Sequence, residues 1–341
     1  MNEYLTWLSN ATKSAWWNDS ADFSELDAAL ASGAVGVTTN PVLVCKALYD
    51  KPEFWKPYLA DMDKSLSGEA RTEELIRRVT VAVAEKFLPL YEEGGSTGLV
   101  CAQVNPTKAG DREAMLSMAR RLHAWAPNIA VKLPVTAAGL DVLEECAAEG
   151  ITVTATVSFT LPQVLAVGDR YQKGLERCRR AGKKAGKCFA VVMVGRIDDY
   201  IRDVVHDSKL DNVRESDIIQ AGSAIMKRAI AIFAERKYEA IMMPAGMRGA
   251  YHVTDLSGAD ITMSIHPKIQ KLLTKVEKPY VEQHLEQVDP EAIKRLMTVR
   301  EFVRAYEPDV MPPEEFITFG VVQKTLAQFT ENWNSIGAFT V

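Results

Sequence analysis

The chain has 341 residues, 47 % of them apolar and 25 % charged, with a formal net charge of −5. This is an ordinary soluble globular composition, long enough to bury a large core without staples. The acidic balance argues against nucleic acid as the main partner, because such binding rests on neutralising phosphates. Five scattered cysteines (Cys45, Cys101, Cys146, Cys178 and Cys188) form no C-x-x-C pair, which fits a reduced protein better than a disulfide framework. The five histidines show no ligand spacing, so a structural zinc site is not expected. No apolar run approaches about 18 residues and the polar start MNEYLTWLSN does not read as a signal peptide. A cytoplasmic protein without membrane contact is the expectation.

Short β-rich runs alternate with helical ones from about residue 15 to about residue 276. The expected strands are AWWNDS (15–20), VGVTTN (35–40), GLVCAQV (98–104), IAVKLP (129–134), TVTATVS (152–158), CFAVVMV (188–194), EAIMMPAG (239–246) and ITMSIH (261–266). Between them, EELIRRVTVAVAEKFLPLYEE and ESDIIQAGSAIMKRAIAIFAERK carry apolar residues at three- and four-residue steps, the period of a helix packed on one face. Eight strands alternating with helices predict an α/β fold, a (β/α)₈ TIM barrel over residues 1–276. An open doubly wound sheet is the alternative, weakened because no strand is followed by G-x-G-x-x-G and GKKAGK lacks the spacing of a P-loop. Beyond residue 276 the alternation stops. DPEAIKRLMTVREFVRAY and PPEEFITFGVVQKTLAQFTENW each predict one helix opened by proline, giving a C-terminal helical extension over 277–341.

Alternate residues of a strand face opposite sides, and in a barrel one of those sides is the interior. In the fifth strand Val153, Ala155 and Val157 would pack on helices, leaving Thr152, Thr154, Thr156 and Ser158 on the other face. In the fourth, Ile129, Val131 and Leu133 are apolar and Lys132 shares the opposite face with Ala130. Lys132 is thus expected inside the barrel. Burial disfavours an ammonium, and a free amine is a nucleophile toward a carbonyl, as Schiff-base enzymes require. A structural lysine paired with a carboxylate is the plain alternative. Other polar residues fall at the same strand ends: Asp19, Asn40, Gln103 and Thr156, with Arg196 after the sixth strand and Arg248 after the seventh. That rim is where barrel active sites are built and where phosphates are held. Taken singly, Asp19 could be a helix cap and Asn40–Pro41 a turn.

These residues fall in motifs that resemble the transaldolases and the related fructose-6-phosphate aldolases: NDSAD (18–22), GVTTNP (36–41), VKLPVTAAGL (131–140), EGITVTATVSFTLPQ (149–163), VGRIDD (194–199) and AGMRGAYHVTDLSGAD (245–260). They run in the family's order across roughly residues 15–276. The resemblance implies that Lys132 forms the Schiff base, Asp19 acts as acid and base, and Thr156 with Gln103 holds the catalytic water. It also implies substrate contacts from Thr39, Asn40 and Met193, with Arg196, Arg248 and Gly246 around the anionic end. The implied activity is transfer of a dihydroxyacetone unit between phosphorylated sugars, as in the pentose phosphate pathway, with no cofactor.

Departures from the family pattern bear on the outcome. Gln103 stands where most transaldolases have Glu and resembles the aldolase branch, whereas Met193 replaces the water-binding Tyr of that branch. Thr154 replaces an Asn, and Gly246 replaces a Ser beside the anion-binding Arg. That thinner anion site keeps a sulfonated sugar open beside a phosphorylated one. Release of free dihydroxyacetone by an aldolase is the alternative outcome, and a barrel that binds sugar phosphates without catalysis is the alternative of another class. A homo-oligomer is left open. The basic run Arg170–Lys187 holds one aromatic residue, Tyr171, and reads as a solvated helix face rather than a nucleic-acid surface. Trp16, Trp17, Met242, Met243 and Met247 read as core filling, although Trp17 shares the face of Asp19 and Met247 lies close to the anion site.

Overall fold

A computed structural model describes residues 2–94 and 97–340. Eight parallel strands follow one another around a barrel: β1 (Ala15–Asn18), β2 (Gly36–Val37), β3 (Leu99–Gln103), β4 (Ile129–Pro134), β5 (Val153–Thr156), β6 (Cys188–Val192), β7 (Ile241–Pro244) and β8 (Thr262–Ile265). The ladder runs β7-β6-β5-β4-β3-β2-β1-β8, and β7 and β8 lie against each other at the seam. The (β/α)₈ barrel expected from the alternation is therefore the architecture observed, nearly closed at that seam. No helix among the described residues is long and apolar enough to cross a membrane.

Polar residues leaving the strands become caps of the following helices. Asp22 caps Phe23–Ala31, Asn40 caps Pro41–Asp50, Thr136 caps Ala137–Glu149 and Thr160 caps Leu161–Arg180, each accepting from a backbone N–H of the first turn. The cap after β1 is thus Asp22, and Asp19 is left for another role. Inside the barrel, Trp17 of β1 meets Phe189 of β6 with ring centroids 4.5 Å apart, and both are buried. This pair fills the barrel interior, as expected of core aromatics. Gly36 makes room for it: a Cβ there would come within 2.6 Å of Trp17 Cε2 and 2.8 Å of the Leu99 carbonyl oxygen.

Several boundaries differ from the periodicity. β2 pairs only through Gly36 and Val37, because Asn40 already turns the chain into its helix. β5 stops at Thr156, since Val157 adopts φ 54°, a left-handed conformation that ends a strand and is costly for a β-branched residue. The long helix expected over 215–237 divides into Glu215–Ile218 and Ala221–Arg236. Each expected C-terminal helix also divides, into Pro290–Leu296 and Arg300–Tyr306, and into Pro313–Phe316 and Gly320–Gly337. Both C-terminal breaks hold a threonine, Thr298 or Thr318, whose hydroxyl donates to the carbonyl three residues back. Such side-chain bonds compete with the helical ladder.

The last helix docks on the barrel against Pro41–Asp50, Gly68–Gly94 and Val194–Asp207. The basic run is paired rather than simply solvated. Arg170 meets Glu144 and Asp141 at 3.0 Å, Arg177 meets Glu145 at 2.9 Å, and Arg179 meets Glu239 at 2.7 Å.

Candidate active site

The C-terminal ends of the strands surround a cavity of about 570 Å³ lined by Asp19, Asn40, Lys132, Thr156, Met193, Arg196, Gly246 and Arg248. Eight of the ten expected site residues therefore meet in one place. Thr39 and Gln103 do not line it. Thr39 is buried, donates its hydroxyl to the Cys101 carbonyl at 2.6 Å, and offers its own carbonyl to Lys132 Nζ at 3.2 Å. Gln103 sits beside Lys132 in the β3–β4 register with its Oε1 buried and without a hydrogen-bond partner among the described residues.

Lys132 is only 6 % exposed, and Gln103 and Thr154 flank it from the neighbouring strands. Its one hydrogen bond goes to a neutral carbonyl, and no carboxylate lies within ion-pair distance among the described residues. The plain reading, a structural lysine neutralised by a partner acid, therefore finds no support in the contacts. Below it the Cys101 thiol is pushed up by burial, a shift the nearby Lys132 charge opposes. Cys101 Sγ lies 3.5 Å from Thr154 Oγ1.

Asp19 follows β1 at the cavity wall. Thr38 Oγ1 lies 2.7 Å from Asp19 Oδ1 and 2.6 Å from Ser264 Oγ. One hydroxyl has one hydrogen, so when Thr38 donates to the carboxylate, Ser264 donates to Thr38. This relay holds the carboxylate oriented at the rim. Asn40 spends Oδ1 on the Leu43 N–H at 3.1 Å, which leaves its Nδ2 as the group it can offer a hydroxyl. Thr156 sits where a buried carboxamide pins the strand end. Gln163 donates to the carbonyls of Val135 at 3.2 Å and Val157 at 3.0 Å and accepts from the Phe159 N–H at 2.9 Å. The strained Val157 is thereby held immediately after Thr156.

The far side of the cavity is cationic. Arg196 reaches across to the last helix, donating to Gln328 Oε1 at 2.8 Å and to Thr325 Oγ1 at 3.5 Å, with its guanidinium 5.8 Å from the Phe329 ring centroid. Arg248 is held by Asp199 at 2.7 Å and by the Gly246 carbonyl at 2.8 Å. The Arg196 guanidinium is drawn below its ordinary range by burial first and by the Arg248 charge second, opposed by Asp19 and Asp199. Arginine stays charged in proteins, so this shift expresses two like charges crowded in a partly dry site. An anion placed between them would relieve that crowding.

Sequence reasoning missed several participants. Thr38 and Ser264 orient Asp19, Asp199 anchors Arg248, and Met243 lines the cavity beside Met247 rather than only filling the barrel. Ser264 was within reach of strand parity, since it shares a face with Thr262 and His266. The grip of the last helix on Arg196 spans more than 120 residues and has no local signal.

The sequence profile of the Transaldolase/Fructose-6-phosphate aldolase family matches residues 16–339. The chain is 29 % identical to the transaldolase of Saccharopolyspora erythraea over 264 residues, which cover 72 % of this chain and 69 % of that protein. It is 34 % identical to transaldolase 1 of Streptomyces avermitilis over 216 residues, 58 % of this chain and 55 % of the relative. Against the transaldolase of Mycobacterium tuberculosis the identity is 31 % over 256 residues, 69 % and 65 % of the two chains. The matched stretches thus span between 55 % and 69 % of these relatives' lengths. With its barrel, its buried lysine and a profile match over almost its full length, the chain belongs to the transaldolase/fructose-6-phosphate aldolase family.

Proposed function

We propose that the protein is a cytoplasmic transaldolase, moving a dihydroxyacetone unit from a ketose phosphate to an aldose phosphate through a Schiff base on Lys132. The observation that carries this reading is the common cavity of Lys132, Asp19 and the two guanidiniums. Nucleophile, base and anion pole then lie on one substrate-sized path.

In this mechanism the Lys132 amine attacks the ketose carbonyl at C2 and water leaves, giving an iminium that acts as electron sink. Asp19, oriented by Thr38, takes the proton of the C4 hydroxyl, and the C3–C4 electrons move into the iminium. An aldehyde departs and the enamine of dihydroxyacetone stays on Lys132. A second aldehyde captures the enamine, its new C4 oxygen takes the proton back from Asp19, and water releases the product ketose and the amine. Arg196 and Arg248 hold the terminal phosphate, or a sulfonate, during both halves. Thr156, with Gln103 behind Lys132, would hold the water that leaves and returns. The unpartnered Gln103 Oε1 supports that assignment, because a buried acceptor beside the reacting amine needs a donor.

Gln103 also favours a second reading, in which water releases free dihydroxyacetone as in the aldolase branch. Against it, Met193 brings a thioether rather than a hydroxyl to the cavity wall. The test is product analysis from fructose 6-phosphate with and without an aldose phosphate acceptor. Transfer should exceed release when acceptor saturates. Dominant release would make the protein an aldolase, and no turnover under either condition would leave a binding barrel.

A further inference from the structure

Behind the anion pole lies a buried pair that the mechanism above does not use. Asp198 and His252 are both fully buried, with His252 Nε2 2.9 Å from Asp198 Oδ2. The contact does not meet hydrogen-bond geometry, and both atoms are buried with no hydrogen-bond partner among the described residues, so each is the nearest polar group on offer to the other. The remaining atoms of the pair are engaged. Asp198 Oδ1 accepts from the Gly222 N–H at 2.8 Å, and His252 Nδ1 accepts from the Arg248 N–H at 3.2 Å.

That last bond sets the tautomer. A backbone N–H aimed at Nδ1 requires a lone pair there, so a neutral imidazole carries its proton on Nε2, facing the Asp198 carboxylate. The adjacent Asp199 holds the guanidinium of the same arginine at 2.7 Å. One turn of the helix Val194–Asp207 therefore supplies Arg196 to the cavity, Asp199 to the Arg248 side chain and, through His252, Asp198 to the Arg248 backbone. The same turn lies flush under this loop. A Cβ on Gly195 would meet the Gly246 carbonyl oxygen at 2.4 Å and Arg248 Cγ at 2.6 Å.

We propose that Asp198 and His252 are positioning residues that fix the imidazole tautomer and thereby hold Arg248 where it binds the substrate's terminal anion. The inference rests on the reading of Arg248 as an anion-binding residue. Asp198→Asn keeps the shape and can still accept from Gly222. It turns an amide N–H toward His252 Nε2 and pushes the ring toward the other tautomer, whose Nδ1–H opposes the Arg248 N–H. Loss of the carboxylate alone is thus transmitted to Arg248 without a cavity.

The experiment compares kcat and KM for fructose 6-phosphate and for fructose in the wild type, Arg248→Ala, Asp198→Asn and the double variant. Asp198→Asn should lower the preference for the phosphorylated donor about ten-fold or more, mainly through KM, and should add little in the Arg248→Ala background, as expected of coupled residues in contact. His252→Gln, whose carboxamide can both accept and donate, should retain more of the preference than His252→Leu. This second pair decides the matter if Asp198→Asn does not fold. Equal losses on both donors, additivity with Arg248→Ala, or equal behaviour of the two His252 variants would overturn the proposal. An unchanged preference in Arg248→Ala would instead overturn the anion-binding reading beneath it.

Discussion

Replacing Arg196 by Gln tests the cationic pole at its least compensated member. The side chain is held by Gln328, Thr325 and the face of Phe329, all neutral, so its removal leaves no carboxylate unpaired. Arg248 keeps Asp199 and the Gly246 carbonyl, and it loses a like-charged neighbour. The loss should therefore fall on substrate rather than on folding. A hydrogen bond to a charged group is worth about 1.5–3 kcal/mol, and two unit charges about 4 Å apart near a protein surface interact by about 4 kcal/mol before solvent screening. Taking about 2–3 kcal/mol for this partly exposed site gives a decrease in kcat/KM of roughly 30- to 150-fold with fructose 6-phosphate. Fructose itself should lose far less. Inorganic phosphate should raise the Tm of the wild type and fail to do so in the variant, because only a bound ligand stabilises by mass action. Equal kinetic losses with both sugars, or a phosphate shift that survives the substitution, would refute the reasoning.

Three further outcomes follow from contacts already described. Gly36→Ala drives a methyl into Trp17 Cε2 and the Leu99 carbonyl, so the folded state should lose about 1–3 kcal/mol in a denaturant titration; a loss below about 0.5 kcal/mol would mean the barrel floor is softer than described. Burial, seconded by Glu286, raises the Asp255 carboxyl against the Ser223 hydroxyl at 2.9 Å and the charge of Lys227. The folded state thus holds the Asp255 proton to higher pH than the unfolded chain, and stability falls as pH rises from the unfolded value of about 4 through the folded one. Asp255→Asn should then be more stable than the wild type at pH 7, with the advantage fading as pH falls to about 4; a variant less stable at every pH would contradict this sign. Met193→Tyr should move products from transfer toward free dihydroxyacetone at saturating acceptor, and an unchanged ratio would show that this wall does not govern the fate of the enamine.

What could be read from the sequence follows physical range. Strand parity requires only neighbours along one chain segment, and it was enough to turn Lys132 and Thr156 inward and to separate Trp17 from Trp16. Cap chemistry is equally local, yet which residue caps depends on where the strand lets go. Asp19 remains at the cavity because Asp22, three residues later, takes the cap. Thr39 belongs to a recognisable motif, but its hydroxyl is committed to Cys101 on the next strand, a partner no periodicity discloses. The left-handed Val157 leaves no compositional mark, since nothing but the surrounding hydrogen bonds of Gln163 makes it tolerable. Long-range pairings were silent for the same reason. Arg196 with Gln328, and Asp198 with His252, come together only when the barrel closes and the last helix docks.

The central claim is that Lys132 is the amine that carries the substrate. Incubation with fructose 6-phosphate and borohydride, followed by digestion and mass spectrometry, reads it directly. One modified peptide is expected, the one containing Lys132, heavier by the mass of a reduced dihydroxyacetone adduct, with no modification in Lys132→Met. Labelling at another lysine, or labelling of the Lys132→Met protein, would contradict it.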